Sequence, residues 1–231
     1  MRKQIPNILT LLNLFSGCIA IVMAFQGNFK AVVIGVAIAA LFDFLDGMAA
    51  RRLNAYSPLG KELDSLADVV SFGTAPAAAV FILLRDYALL PGYLESLHIW
   101  IPYLAFLIPV FSAYRLAKFN VDERQTTSFI GLPTPANGLF WISYCSGMTE
   151  IATQNENSFY LTAGLIVLMS LLMVSEIPMF SLKIKKLAFK GNERQVILLI
   201  LMVLLVVLLG ISGMAWGIVA YVILSVSVPR R

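Results

Sequence analysis

Charged residues are scarce in this sequence of 231 residues: Asp, Glu, Lys and Arg together make up 13% of it, whereas the set AVILMFWYC makes up 59%. A soluble globular domain carries about a quarter charged residues, and the mean hydropathy here is +0.85. The shortage of charge therefore excludes an ordinary soluble fold and indicates an integral membrane protein.

Histidine and cysteine are almost absent. The chain has one histidine, His98, and two cysteines, Cys18 and Cys145, which both lie inside apolar runs. These counts exclude a disulfide framework and a cysteine-histidine zinc site, and they argue against a hydrolase that relies on a Ser-His-Asp triad.

Long apolar runs are what the sequence has in abundance, and their lengths match membrane-spanning helices. They predict an all-α, polytopic transmembrane helix bundle of about eight spans, in a single domain that covers residues 1–231. The predicted spans are residues 8–25, 29–52, 61–84, 98–119, 135–153, 159–174, 195–209 and 214–228. Because only the short break at 210–213 separates the last two runs, seven spans, one of them kinked, is the alternative.

Basic residues are distributed unevenly between the two sides of this eight-span scheme. Of the 17 Lys and Arg residues, 15 fall on the side of the amino terminus, and only Lys30 and Arg85 fall on the other. The positive-inside rule therefore places both termini in the cytoplasm. The net charge of +4 reflects this bias and gives no support for a nucleic-acid partner. A basic cluster is expected to contact the headgroups of membrane lipids, and it consists of Lys183, Lys185, Lys186, Lys190 and Arg194.

Acidic residues lie where a membrane helix tolerates them least. Asp43 and Asp46 are near the end of the second predicted span, and Asp64 and Asp68 are near the start of the third. An ionised Asp at the centre of a spanning helix costs roughly 2.5 to 3.5 kcal/mol, so these acids need a shared compensator. Helical spacing puts each pair on one face, and a short connection makes the two helices antiparallel neighbours. The four carboxylates are therefore expected to converge near the cytoplasmic side.

Converging carboxylates suit a hard divalent cation such as Mg²⁺ or Mn²⁺. We therefore predict that Asp43, Asp46, Asp64 and Asp68 hold the metal. A cation-coupled transporter is a distant alternative, because intramembrane acids also bind transported ions.

The four acids belong to a longer pattern. It reads Asp43-x-x-Asp46-Gly47-x-x-Ala50-Arg51, then eight residues, then Gly60-x-x-x-Asp64-x-x-x-Asp68. This pattern resembles the signature of the CDP-alcohol phosphotransferase family, with every fixed position filled. The words IPNILTLLNLFSG, VSFGTAP, RLAKFN and FIGLPTPA resemble the phosphatidylserine synthase branch of that family. The resemblance covers residues 1–140, the expected catalytic core, and residues 141–231 are expected to add transmembrane helices.

The resemblance implies a metal-dependent enzyme that transfers the phosphatidyl group of CDP-diacylglycerol to the hydroxyl of L-serine, giving phosphatidylserine and CMP. Asp68 is the implied general base, and Asp64 and Asp68 could exchange parts of their roles as ligand and base. The residues implied to bind the nucleotide and its phosphates are Asp46, Gly47, Ala50, Arg51 and Gly60, together with Asn7 and Thr10. For Asn7 and Thr10, a helix cap at the Pro6-Asn7 start is the alternative role.

Serine is a zwitterion, so its site needs a cation for the carboxylate and an acceptor for the ammonium. Arg115 and Lys118 are the candidates for the first task and Asn120 for the second, whereas charges that only mark the membrane boundary are the alternative. Another acceptor, glycerol phosphate or inositol phosphate, is the alternative function. We expect the active site to face the cytoplasm from the cytoplasmic membrane, and small-residue helix faces favour a homodimer.

Overall fold

Helices make up nearly all of the chain that the structure, a computed structural model, describes: residues 4–86, 97–122, 129–148, 157–180 and 192–226. The α-helices are α1 (Ile5–Phe25), α2 (Phe29–Arg52), α3 (Pro58–Asp68), α4 (Ala75–Arg85), α5 (Leu107–Val121), α6 (Thr134–Met148), α7 (Asn157–Val174), α8 (Glu193–Leu209) and α9 (Gly213–Val226). A π-helical segment, Val69–Thr74, joins α3 to α4, and 3-10 turns at Ile101–Phe106 and Gly210–Ser212 precede α5 and α9. Two short strands, β1 (Phe129–Ile130) and β2 (Pro178–Met179), pair antiparallel.

Five helical stretches in the described residues are long and apolar enough to cross a membrane: Ile5–Phe25, Phe29–Arg52, Pro58–Arg85, Ile101–Val121 and Glu193–Val226. The protein is thus a helical, polytopic membrane protein, as predicted. Each of the eight predicted segments coincides with a helix, but the number of crossings and the cytoplasmic position of the termini stay predictions. The ends of the fifth and eighth segments, residues 149–153 and 227–228, and the lysines of the basic cluster lie outside the described residues.

Helices α1 and α2 form an antiparallel hairpin that begins the bundle. Gly27 turns the chain with a φ of +70°, and the side chain of Asn28 caps α2 by accepting a hydrogen bond from the amide of Ala31 at 3.1 Å. The two helices approach closely because Gly35 has no side chain, and a Cβ added there would lie 3.0 Å from the Cβ of Ala20. This close packing fixes the face of α1 against the acid-bearing end of α2.

The helix that carries Asp64 and Asp68 begins at Pro58 rather than at the predicted residue 61. Ser57 is its N-cap and accepts a hydrogen bond from the amide of Gly60 at 3.0 Å. Proline in the first turn needs no hydrogen-bonded amide, so the Ser-Pro pair starts the helix one turn early. Gly60 therefore lies in the first helical turn and not in the connection.

The π segment Val69–Thr74 directly follows Asp68 and widens the middle of a long helical stretch. Its signature is hydrogen bonds between residues five apart, and the amide of Ala75 donates to the carbonyl of Val70. The hydroxyl of Thr74 also donates to the carbonyl of Val69 at 3.1 Å. Such segments are rare and are often found at functional sites, and nothing in the apolar pattern of the sequence predicts this one.

Three successive residues of the π segment each face a different helix. The Ser71 hydroxyl donates to the carbonyl of Asn13 in α1 at 3.0 Å. Phe72 lies against α6, where a Cβ added to Gly138 would be 2.9 Å from the Phe72 Cα. Gly73 lies against α5. The π segment is thus the place where α1, α5 and α6 meet, immediately below the acids.

Helices α8 and α9 fold back on each other. Gly210 breaks the stretch with a φ of +64°, and a Cβ added to Gly217 would lie 3.1 Å from the Met202 methyl group. These two residues are far apart along the chain, so their contact shows a helical hairpin and not one kinked helix. Eight of the 17 side chains of α8 are exposed and apolar, which suits contact with lipid.

Candidate active site

Three carboxylates from two helices meet at one point. One carboxylate oxygen from each of Asp43, Asp64 and Asp68 lies within 4.8 Å of the other two. Asp43 comes from α2, while Asp64 and Asp68 come from successive turns of α3. One oxygen of Asp64 and one of Asp68 are buried with no hydrogen-bond partner among the described residues. Like charges at this spacing repel unless a cation lies among them, so the cluster fits a hard divalent ion with oxygen ligands.

Asp46 is placed differently from the other three acids. Its carboxylate accepts a hydrogen bond from the Thr10 hydroxyl at 2.5 Å, and it is not one of the three acids whose oxygens lie closest together. It lines the cleft described next, as Asp64 also does. Asp46 therefore lies between the cleft and the acid cluster, and its role as a metal ligand stays a prediction.

A cleft of about 200 Å³ opens between the ends of α1, α2 and α3. We call it the α1–α3 cleft, and its lining residues are Pro6, Asn7, Thr10, Asp46, Gly47, Ala50, Ala55, Tyr56, Ser57, Gly60, Lys61 and Asp64. All but one of the residues predicted to bind the nucleotide are among them. The remaining one, Arg51, is exposed and lies beside the cleft, because a Cβ added to Gly47 would be 3.5 Å from its Nη1 atom.

Gly60 and Asn7 shape the wall of this cleft between α1 and α3. A Cβ added to Gly60 would lie 3.1 Å from both the Asn7 Oδ1 and the Ser57 Oγ atoms, so glycine leaves room between α1 and α3. Asn7 is not the helix cap that the sequence offered as an alternative, since α1 begins at Ile5 with Gln4 as its N-cap. Pro6 sits in the first turn, so Asn7 lies inside the helix and turns its side chain to the cleft.

The cleft is also lined by three residues that were not predicted to bind the substrate: Tyr56, Ser57 and Lys61. Tyr56 and Ser57 belong to the predicted connection between the two acid-bearing helices, and Lys61 is the first residue of the third predicted span. The signal that could have identified them is the Ser-Pro pair, because an N-cap at Ser57 brings this segment into the helix start and beside Gly60.

Arg115 lies on the opposite side of the acids, on α5. It is only 6% exposed, its Nη1 donates to the Thr134 hydroxyl at 3.4 Å, and its guanidinium lies 5.8 Å from the centre of the Phe119 ring. We call these three residues the Arg115 cluster. The guanidinium interacts electrostatically with Asp68, and its Nε has no hydrogen-bond partner among the described residues.

The other two residues predicted to bind serine have partners elsewhere. Lys118 forms an ion pair with Glu176 at 3.6 Å. The Asn120 side chain donates to the Ser65 hydroxyl at 2.9 Å, and the backbone carbonyl of Asn120 accepts a hydrogen bond from the Lys61 side chain at 2.7 Å. Of the three predicted residues, Arg115 is the one that the structure brings to the acids, while Asn120 ties α5 to α3.

The sequence of the chain is similar to those of known proteins. Residues 3–228 match the family described as CDP-alcohol phosphatidyltransferase. The chain is 34% identical over 137 residues to the CDP-diacylglycerol--serine O-phosphatidyltransferase of Bacillus subtilis, which covers 59% of this chain and 72% of that protein. It is 34% identical over 173 residues to the enzyme of the same name from Methanocaldococcus jannaschii, covering 75% of this chain and 72% of that protein. It is 32% identical over 183 residues to the archaetidylserine synthase of Methanothermobacter thermautotrophicus, covering 75% and 68%.

Proposed function

The chain belongs to the CDP-alcohol phosphatidyltransferase family, and from this premise we propose that it transfers the phosphatidyl group of CDP-diacylglycerol to the hydroxyl of L-serine, giving phosphatidylserine and CMP. The observation that carries the proposal is the acid cluster of Asp43, Asp64 and Asp68, which has the α1–α3 cleft on one side and a buried arginine on the other. The names of the relatives support serine as the acceptor.

The α1–α3 cleft binds the nucleotide end of the CDP-lipid in this proposal. Gly47 and Gly60 let the nucleotide approach the backbone, and Asn7 offers a carboxamide at the cleft wall. Arg51 lies beside the cleft, where its guanidinium can form paired hydrogen bonds with a phosphate. Ala50 completes the wall. Because the helix ends are open here, a large substrate with its tails in the bilayer can enter.

The four acids have two tasks in this proposal, metal binding and proton transfer. Asp43, Asp46 and Asp64, together with Asp68 where it shares the ligand role, would hold Mg²⁺ or Mn²⁺, which supplies neutralisation of the pyrophosphate charge when bound. Thr10 orients Asp46 through its 2.5 Å hydrogen bond. The unpartnered oxygens of Asp64 and Asp68 are consistent with this use, since a buried carboxylate oxygen needs a cation or a donor.

Asp68 acts as the general base for the acceptor. The serine hydroxyl oxygen bonds to the lipid-bearing phosphorus, the bond from that phosphorus to CMP breaks, and the hydroxyl proton passes to the Asp68 carboxylate. Asp68 suits this task because it is only 7% exposed and lies between the other acids and Arg115. Bulk water is thereby kept from competing with serine as the nucleophile.

Arg115 holds the serine carboxylate in this scheme. A guanidinium that is buried among protein groups binds a carboxylate more strongly than one in water, and its free Nε provides a donor. Lys118 and Asn120 have a supporting role, because their contacts with Glu176, Ser65 and Lys61 hold the end of α5 in place.

We further propose a location in the cytoplasmic membrane with the active site facing the cytoplasm. The distribution of Lys and Arg supports this orientation. Two of these basic residues, Arg51 and Lys61, lie at the ends of the acid-bearing helices. A homodimer and the division of the chain into a catalytic core, residues 1–140, and additional helices, residues 141–231, stay predictions.

The test is an acceptor panel with purified protein. Incubation with CDP-diacylglycerol and Mg²⁺ or Mn²⁺ should release CMP with L-serine and far more slowly with glycerol phosphate, inositol phosphate or water. Release with one of the phosphorylated alcohols instead would replace serine as the acceptor. Absence of CMP release with every alcohol would overturn the proposed reaction and leave the transporter as the alternative.

A further inference from the structure

Several buried polar atoms of Arg115 and of residues on the neighbouring elements have no hydrogen-bond partner among the described residues. Besides the Arg115 Nε and one oxygen of Asp68, both polar atoms of the Asn137 side chain have no partner among the described residues. Asn137 is 0% exposed, in a protein whose surroundings are hydrocarbon. Leaving a carboxamide unpaired in such a place is costly. Other unpartnered polar side chains exist in the bundle, so the position of Asn137 matters more than its lack of a partner.

The position of Asn137 follows from the contacts of two residues near it on α6. Thr134, three residues before it on α6, accepts the hydrogen bond from Arg115. Gly138, the next residue, packs against Phe72 of the π segment, one turn after Asp68. Residues three apart on a helix share a face and differ by about 4.5 Å along the axis. Asn137 therefore lies one turn along α6 from the Thr134 hydroxyl that Arg115 contacts, and next to the residue that packs against the acid-bearing stretch.

The unpartnered atoms match the groups of one small molecule. An amino alcohol with a carboxylate presents an anion for the Arg115 Nε, a hydroxyl proton for the Asp68 oxygen and an ammonium that needs an acceptor. We propose that the Asn137 Oδ1 accepts a hydrogen bond from the ammonium group of serine, which makes Asn137 a specificity residue of the acceptor site. This inference rests on the proposed function, and it adds the ammonium subsite that Asn120 was predicted to provide.

A neutral acceptor suits this place better than a further acid would. A carboxylate here would add a negative charge close to Asp43, Asp64 and Asp68 and would compete for the metal. A carboxamide oxygen accepts the ammonium hydrogen bond without either effect. Asn137 thus recognises the ammonium group through a hydrogen bond, and Arg115 recognises the carboxylate through its charge.

The experiment compares serine with 3-hydroxypropionate, which is serine without the ammonium group. In Asn137→Ala, the KM for serine should rise on the order of 10- to 100-fold, the range expected for one hydrogen bond to a charged group. The inhibition constant of 3-hydroxypropionate as a competitor of serine should change by only a few-fold, and so should the KM for CDP-diacylglycerol. Ser143→Ala is the matched control, because it removes another buried, unpartnered polar group from α6 and should change none of the three constants.

A second variant keeps the test decisive if Asn137→Ala does not fold. Asn137→Leu is close in volume and leaves no polar group to bury, so it should raise the KM for serine as Asn137→Ala does and leave the inhibition constant of 3-hydroxypropionate nearly unchanged. An unchanged serine KM in Asn137→Ala, or equal losses for both compounds in either variant, would overturn the ammonium subsite alone. A wild-type protein that releases no CMP with serine would overturn the proposed function instead, so the two failures are distinguishable.

Discussion

The two sides of the acid cluster differ in how they are built. The α1–α3 cleft is open, lined partly by glycines and exposed residues, and made by three helices that follow one another in the chain. Arg115, Thr134 and Asn137 are buried instead, and they bring side chains of α5 and α6 to the side of Asp68 from α3. The α1–α3 cleft therefore offers a ligand open space, whereas the Arg115 side offers it polar atoms in fixed positions.

This difference corresponds to the sizes of the two proposed substrates. A CDP-lipid is large and brings many contacts of its own, so an open cleft with close backbone approach is sufficient to hold it. A small zwitterion offers only three groups, and selectivity for it has to come from a few hydrogen bonds that are worth more in a dry site. Variants of the two sides should consequently affect different kinetic constants.

The largest effect should come from the acids that both sides share. Asp43→Asn removes a formal charge from the cluster, so metal affinity should fall and turnover should drop on the order of 10³-fold or more, since several kcal/mol of charge stabilisation is lost. Excess chelator should have the same result in the wild-type protein. Metal binding by calorimetry and CMP release measure the two effects. Glu62→Gln, an exposed acid on α3, is the control, and full activity in excess chelator would contradict the metal site.

Asp68→Asn should separate the base from the ligands. If Asp68 takes the hydroxyl proton, kcat should fall by a factor on the order of 10² to 10⁴, while metal and CDP-lipid affinities stay nearly unchanged. Asn is nearly isosteric and removes one buried negative charge, so folding should not suffer. A loss of metal affinity in step with activity would identify Asp68 as a ligand and move the base to Asp64.

Arg115→Ala should affect the acceptor side alone. The KM for serine should rise on the order of 100-fold, because a buried partner of the substrate carboxylate is lost, and the KM for CDP-diacylglycerol should hardly change. Weak use of ethanolamine, which lacks the carboxylate, should be little affected. Arg85→Ala is the control, since Arg85 pairs with Asp86 at an exposed position. Equal changes in both substrate constants would place Arg115 in the nucleotide site.

The smallest effect should come from the wall of the α1–α3 cleft. Gly60→Ala places a methyl group 3.1 Å from the Asn7 and Ser57 side-chain oxygens, so these side chains have to shift by a few tenths of an ångström. The KM for CDP-diacylglycerol should rise several-fold and that for serine should not. Gly164→Ala adds a methyl group that meets nothing within 4 Å and serves as the control. A change in the serine constant instead would mean that the two sides are not independent.

How well the sequence predicted each side follows from how each side is assembled. Spacing on two consecutive helices brings Asp43, Asp64 and Asp68 together, and such short-range geometry can be read from residue numbers. Thr134 reaches Arg115 only because α5 and α6 pack around the π segment, which no periodicity predicts. For the same reason Lys118 and Asn120 looked equivalent to Arg115 in the sequence, where burial and direction are not visible. Seven of the twelve residues that line the cleft were predicted from the sequence, and of the residues predicted to bind serine only Arg115 lies beside the acids.

The π segment affects how helix faces can be predicted from the sequences of this protein and its relatives. A π turn holds one residue more than an α turn, so it equals a one-residue insertion in the helical repeat. Each added residue shifts the angular phase of the helix by about 100°, and the apolar face of α4 is therefore out of phase with the acid-bearing face of α3. A single helical wheel drawn from Pro58 to Arg85 therefore places the residues beyond Thr74 on the wrong faces. Two wheels, one ending at Asp68 and one beginning at Ala75, assign them correctly, and a deletion within residues 69–74 should rotate α4 while leaving Asp64 and Asp68 where they are.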